Sequence, residues 1–168
     1  MRIKITVLVL LLTLVGGLIL WQITDAASTA TVSATVTATN LDLSVSSGSI
    51  TYGSVALNTA TTTAGNGYTQ TVTNNGSTMK LNAKSSDASG GTAWTLGTSP
   101  GSNIFKHEVS TTSGSTYMTF QATDTYLTAS TSIAASLTQV MDFRLTTPTA
   151  SSDFVQKTIT LTVQAAAP

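Results

Sequence analysis

The residues able to do chemistry are few. The sequence holds one histidine, His107, and no cysteine. Without cysteine there is no thiolate nucleophile, no thiolate metal site and no disulfide. Without a second histidine, a zinc site built on imidazoles has no basis. Gly97-Thr98-Ser99-Pro100-Gly101 matches the G-x-S-x-G pattern of a nucleophile elbow. An elbow needs a strand before its serine and a helix after it. Here Ser-Pro-Gly is turn chemistry, and the following "NIFKHEV" reads as a strand. The acids that follow His107 also break the expected Ser, acid, His order. The reading is a plain turn. His107 and Glu108 are adjacent, so on a strand they point to opposite faces. They are expected not to act as a pair, and His107 is read as a surface histidine.

The acids Asp42, Asp87, Glu108, Asp124, Asp142 and Asp153 are scattered, mostly on outward or loop positions. Glycoside hydrolysis needs two carboxylates facing across a cleft, and no such pair is expected. The "SSDASGG" loop offers Asp87 to calcium, but calcium takes six to eight oxygen ligands. Trp94, Tyr52, Tyr68, Tyr117 and Tyr126 have rings suited to a sugar-stacking platform for surface glycans. Core packing for Trp94 and surface positions for the tyrosines are preferred. Asn75-Gly76-Ser77 is a glycosylation sequon, read here as a turn signal. No catalytic, cofactor-binding or metal-binding residue is assigned, no cofactor is expected, and the chain is read as a non-enzyme.

The positioning elements must come from an unusual composition. Ser and Thr make up about a third of the 168 residues, and only 8% are charged, seven cations against seven anions. Nucleic-acid binding needs clustered Lys and Arg, so that partner is excluded. Arg2 and Lys4 precede an apolar run, Ile5 to Ile23. A charged start, an apolar stretch and then small residues form an export signature. With Thr24 and Ala26 at the −3 and −1 positions, residues 1–26 read as a signal peptide cut after Ala26. The run also nearly reaches the roughly 20 residues that span a bilayer, so an N-terminal membrane anchor is the competing reading. Either way the protein is expected outside the cell or on its surface.

Beyond the leader, period-two alternation is punctuated roughly every 8 to 12 residues by clusters of Gly, Asn, Asp and Ser. That pattern predicts an all-β sandwich or barrel. In "YTQTVTNNGSTMKLNAK", Asn75-Gly76 sits between two alternating runs and predicts a tight hairpin. Met79, Leu81 and Ala83 share one face. Trp94 and Leu96 share another. "TYMTFQATDTYL" puts Met118, Phe120 and Ala122 together. "TQVMDFRLTTP" points Met141, Phe143 and Leu145 inward and Asp142 and Arg144 outward, and Pro148 ends it. "FVQKTITLTVQA" points Val155, Ile159, Leu161 and Val163 inward. Lys157 falls on the same side, with its amine expected to reach water.

"TATVSATVTATN", Thr29 to Asn40, alternates hydroxyl residues with Val and Ala. Its phase differs from that of Leu41, Leu43 and Val45, so Asn40 is expected to mark a bulge or a change of sheet. Three readings stand. The preferred one is a first strand of the same sandwich. The others are a strand donated to a second copy through Thr29–Thr39, and a spacer. The chain divides on this basis into a leader at 1–26, an N-terminal strand or spacer at 27–40 and a β-sandwich domain at 41–168.

The motifs "LDLSVSSGSITYGSVALNTATTT", "YTQTVTNNGSTMKLNA", the single "W-x-L" and the ending "TTPTASSDFVQKTITLTVQA" resemble small exported immunoglobulin-like surface proteins of uncultivated bacteria. That resemblance covers nearly the whole mature chain. Residues 30–83 also resemble camelysin-like and TasA-like fibre subunits and the donor-strand pili. The chain departs from these in its leader and in lacking a Pro-Gly-Asp turn. The resemblances imply an immunoglobulin-like or jelly-roll-type antiparallel sandwich behind an apolar signal or anchor helix, and a structural or adhesive surface role. A fibre subunit and a carbohydrate-binding module are the alternatives.

Overall fold

The computed structural model describes residues 30–168, so the leader at 1–26, with Ile5–Ile23, lies outside the described residues. Ten strands follow in order: β1 Leu43–Val45, β2 Ala60–Thr62, β3 Gln70–Asn74, β4 Met79–Ser85, β5 Thr95–Gly97, β6 Ile104–Ser110, β7 Met118–Thr119, β8 Leu127–Ile133, β9 Thr138–Thr146 and β10 Leu161–Ala166. No helix occurs among the described residues. The larger sheet has the order β1-β3-β9-β6-β5, with β2 on β9 and β7 on β6. The smaller sheet is β10-β4-β8. All pairings are antiparallel except β5 with β6.

The two sheets share one core, which makes the arrangement sandwich-like and all-β, as the alternation predicts. Val72, Phe105, Val109, Met141, Phe143 and Leu145 from the larger sheet meet Met79, Leu81, Ala83, Ala129 and Ile133 from the smaller. On β4 the alternation is complete, with Met79, Leu81, Ala83 and Ser85 buried and Lys80, Asn82 and Lys84 half-buried. Each fully buried large apolar side chain contributes roughly 1.5–3 kcal/mol.

Several expectations are corrected. Asn75-Gly76 closes no hairpin: β3 and β4 belong to different sheets, and neither residue has a positive φ. The step carries the chain across the sandwich instead. Asn74, fully buried, organises it. Its side-chain amide donates to the carbonyls of Ser77 (2.9 Å), Ile133 (2.9 Å) and Ala134 (3.0 Å), and its side-chain oxygen accepts from the Gly76 N–H at 2.9 Å. Gly76 is needed for a close approach. A Cβ there would strike the Asn40 carbonyl and come within 2.9 Å of the Asp42 nitrogen.

Asn40 does not turn the chain towards the other sheet. The Ser77 N–H donates to the Asn40 carbonyl at 2.7 Å, and the Asn75 N–H donates to Asp42 at 3.0 Å. These bonds extend the β1–β3 ladder, in which Leu43 faces Asn74 and Val45 faces Val72. Residues Ala30–Asp42 contain no strand and are all exposed, so the preferred reading of "TATVSATVTATN" as a strand of its own sheet does not hold. Of "TYMTFQATDTYL", only Met118–Thr119 and the final Leu127, which opens β8, are strand; Phe120 is buried but Ala122 is exposed. β8, "LTASTSI", was not expected, because its weak Ser, Thr and Ala pattern resembles a loop. β10 begins only at Leu161, and Val155 is exposed rather than inward.

Gly76→Ala is expected to destabilise the fold by roughly 1–3 kcal/mol, because backbone rather than a movable side chain must give way. Urea unfolding measures it, and an unchanged midpoint would show that the Asn40–Ser77 contact is dispensable.

Candidate functional site

Ser99 sits on an exposed turn between β5 and β6, with no helix behind it. The turn reading of G-x-S-x-G holds. β5 is only three residues long, so a six-residue return suffices to lay β6 parallel beside it.

His107 overturns the surface reading. It is fully buried on the inward face of β6. Phe120, Phe143, Tyr52 and Phe105 surround it at ring-centroid distances of 5.5, 5.9, 6.0 and 6.2 Å. Its two nitrogens have separate partners: Nε2 lies 2.8 Å from Tyr52 Oη and Nδ1 lies 2.9 Å from Ser85 Oγ. The Ser85 hydroxyl donates to the Ser86 carbonyl at 3.3 Å. Ser85 Oγ therefore accepts from Nδ1–H, and Tyr52 O–H donates to Nε2. The bonds assign a neutral imidazole with its proton on Nδ1. Burial pulls His107 down to about 3, against a smaller opposing pull from Glu108. Burial pushes the Tyr52 phenol above its ordinary range, helped by Tyr117, so it stays a donor.

Glu108 points to the opposite face, as expected for its neighbour, yet it too is buried. Its carboxylate accepts from Arg144 Nε at 2.6 Å and Nη2 at 2.9 Å, and Lys106 Nζ lies 2.8 Å away. Glu108 and Arg144 face each other across β6 and β9. Burial alone would raise Glu108, but the bonds from Arg144 and Lys106 outweigh it and hold the carboxyl at about 2. Arg144, expected outward, also stacks 4.2 Å over Tyr117.

Four of the other acids are likewise taken by the fold, while Asp42 is exposed. Asp142, expected outward, is buried and accepts from Thr63 (3.2 Å) and Thr69 (2.5 Å). Asp87 caps the Leu96 N–H at 2.7 Å, which gives the "SSDASGG" acid a structural task. Asp124 pairs with Lys84 at 3.1 Å. Asp153 accepts from Lys157 at 2.6 Å and from the Thr92 N–H. Lys157 does not reach water: its amine also donates to the carbonyls of Gly90 (2.5 Å) and Thr92 (2.7 Å). No cluster of three metal-ligating side chains occurs among the described residues. The aromatic residues are engaged separately. Trp94 lies under Lys157 and donates to Ser151, Tyr52 bonds His107, Tyr117 holds Arg144, and Tyr126 lies under Lys84. Tyr68 is left 40% exposed.

What the residue types did not announce is a cleft of about 1100 Å³ beside β10. Val45 and the segment 48–57, Phe143 and Leu145 of β9, and Ile159, Leu161 and Val163 are among the residues that line it. β4 is the sole neighbour of β10 in its sheet. The inward side chains of β10 are only half-buried, whereas those of β4 are fully covered. The core is therefore incomplete along this edge. The signal in the sequence was the strong apolar alternation of "ITLTV", but parity cannot tell whether an inward face is covered.

Compared with protein-family models, curated proteins and solved structures, the chain matches none. Its fold places it among all-β, sandwich-like proteins with antiparallel-dominated sheets.

The buried pair makes stability depend on acid. Unfolded, His107 takes a proton below about 6.5; folded, it stays neutral down to about 3. Unfolding thus takes up a proton in that window, and stability falls by up to about 1.4 kcal/mol per pH unit as pH drops through it. Glu108 adds a further loss from about pH 4.5 down to about 2, where its bonded carboxylate is finally protonated. His107→Phe is expected to remove the slope between pH 6.5 and 4.5. It should also lower stability at pH 7 by roughly 1–3 kcal/mol, because Tyr52 and Ser85 lose their partner. Urea unfolding at pH 7, 6 and 5 measures both, and an unaltered slope would assign it to another group.

Proposed function

We propose that this chain is a non-enzymatic structural protein of the cell surface, exported by its N-terminal leader, whose immunoglobulin-like sandwich works by association rather than catalysis. The carrying observation is the cleft beside β10. An apolar, under-covered core next to an unpaired strand edge is suited to accept an added strand, which supplies main-chain hydrogen bonds and side chains for the pockets. The buried polar groups with catalytic potential support the same reading, because they are bonded within the fold. His107 holds two sheets together, and Glu108, Asp142 and Asp87 satisfy neighbouring donors.

The test is the state of the protein recovered from the surface fraction of cells expressing the full sequence. Light scattering and negative-stain microscopy are expected to show multimers or filaments that grow with concentration. A single monomeric species at every concentration, or recovery only from the cytoplasm, overturns the proposal.

A further inference from the structure

We propose that Asn66 is a site of spontaneous covalent modification, in which the Gly67 backbone nitrogen closes on the Asn66 side chain and the product places a carboxylate on the turn that covers Asp142. The same dipeptide at Asn75-Gly76 is spared by the fold.

An Asn-Gly step suits this chemistry because glycine has no Cβ to hinder its nitrogen and ranges widely in φ. The Gly67 nitrogen bonds to Asn66 Cγ, and its proton goes to the departing amide, which leaves as ammonia. Water then opens the cyclic imide at either of its carbonyls. One opening gives aspartate. The other gives isoaspartate, with the backbone routed through the side-chain carbon. One water is consumed for each ammonia released, and no oxidant or cofactor takes part.

Asn66 and Asn75 are both exposed, so access to the side chain does not separate the two steps. The glycine nitrogens do. The Gly76 N–H is donated to Asn74 Oδ1 at 2.9 Å, and the flanking N–H groups of Asn75 and Ser77 are donated to the Asp42 and Asn40 carbonyls at 3.0 and 2.7 Å. The Asn40 carbonyl also crowds Gly76, where a Cβ would strike it. That nitrogen cannot swing towards Asn75 Cγ without breaking the crossing between the sheets. The Gly67 N–H, by contrast, has no hydrogen-bond partner among the described residues. A Cβ at Gly67 would meet nothing within 4 Å. Gly65 and Gly67, at φ 75° and 77°, give this turn the backbone freedom that the Gly76 crossing lacks.

The position of the turn gives the change a consequence. "TTAGNGYTQ" joins β2 to β3, and both strands pair with β9, Thr62 opposite Arg144 and Gln70 opposite Met141. Between those pairs lie Asp142 and Phe143. Thr63 and Thr69 donate to the Asp142 carboxylate. That carboxylate is buried and belongs to none of the ion pairs among the described residues. Asn66 steadies the turn by donating its amide to the Thr62 carbonyl at 2.8 Å. After conversion the donor is a carboxylate, which only accepts. It repels the Thr62 carbonyl and adds a negative charge to a turn that already covers an unpaired one.

The full chain, folded in one sample and unfolded in urea in another, is aged at mildly alkaline pH in heavy-oxygen water. Mass spectrometry of the two Asn-Gly peptides then reads conversion at each site. In the folded protein Asn66 is expected to convert at least about tenfold faster than Asn75, the factor that one held hydrogen bond imposes. In urea the two sites are expected to convert at similar rates. Folded protein in which Asn66 stays intact, or in which Asn75 keeps pace with it, overturns the site. A preference that persists in urea also overturns it, because neighbouring sequence rather than the fold would then be the cause. Asn66→Asp supplies the product directly, and its folding equilibrium constant is expected to be about two- to tenfold smaller in urea unfolding at neutral pH. An unchanged constant overturns the coupling to the turn over Asp142.

Discussion

The structure turns on one buried imidazole. His107 lies where β6 of the larger sheet meets β4 of the smaller, and a polar ring there must be satisfied from both sides. Ser85 on β4 takes its Nδ1–H, and Tyr52 gives a proton to Nε2. The first bond ties sheet to sheet. The second reaches into the irregular segment after β1 and holds it against the core. That segment lines the cleft, and both Tyr52 and His107 are among the lining residues. The hydrogen bond that satisfies the core thus also fixes the shape of the space beside β10.

The same accounting explains the composition. With so few charges, buried polar groups are matched by hydroxyls and amides. Thr63 accepts from the Phe143 N–H at 2.8 Å and donates to Asp142. Thr147 donates to the Ala56 carbonyl at 2.6 Å and accepts from the Thr59 N–H at 3.1 Å. Gln70 donates to the carbonyls of Ser49 and Tyr68. No buried side-chain polar atom among the described residues lacks a partner. Serine and threonine are therefore the internal fastenings of the loops as well as a polar coat with high strand propensity.

How far the sequence could be read follows from what parity contains. Alternation located β4 and β9 with the inward residues of each, and β6 as a strand without its inward set, since a covered face and a pleat share one period. It failed where the other face is also covered. Glu108 and Asp142 stand on the outward parity yet are buried, because Arg144 and Lys106 in one case, and Thr63 and Thr69 in the other, close over them. His107 was placed on the surface because polarity outweighed position, although it shares the parity of Phe105 and Val109. The Asn-Gly step was read from local turn chemistry, whereas its work is a crossing between sheets directed by Asn74. Cover and crossing are tertiary facts with no local pattern. The cleft is the extreme case, since only the partial burial of Leu161 and Val163 reveals it.

That partial burial bears on why such an edge persists. Natural sheets blunt their edges with charge, proline or bulges, because a regular open edge templates further pairing. β4 carries Lys80 and Lys84, but it is the central strand, where neither can guard an edge. β10, "LTVQAA", has no charged residue, no proline and no bulge. A single Lys or Glu at Thr162 or Gln164 would blunt it without disturbing the inward Leu161 and Val163. The chain instead keeps a neutral, regular strand next to an apolar space. An edge of this kind is an aggregation liability unless something covers it, so its retention at β10 sets this edge apart from the bulged edge at β8.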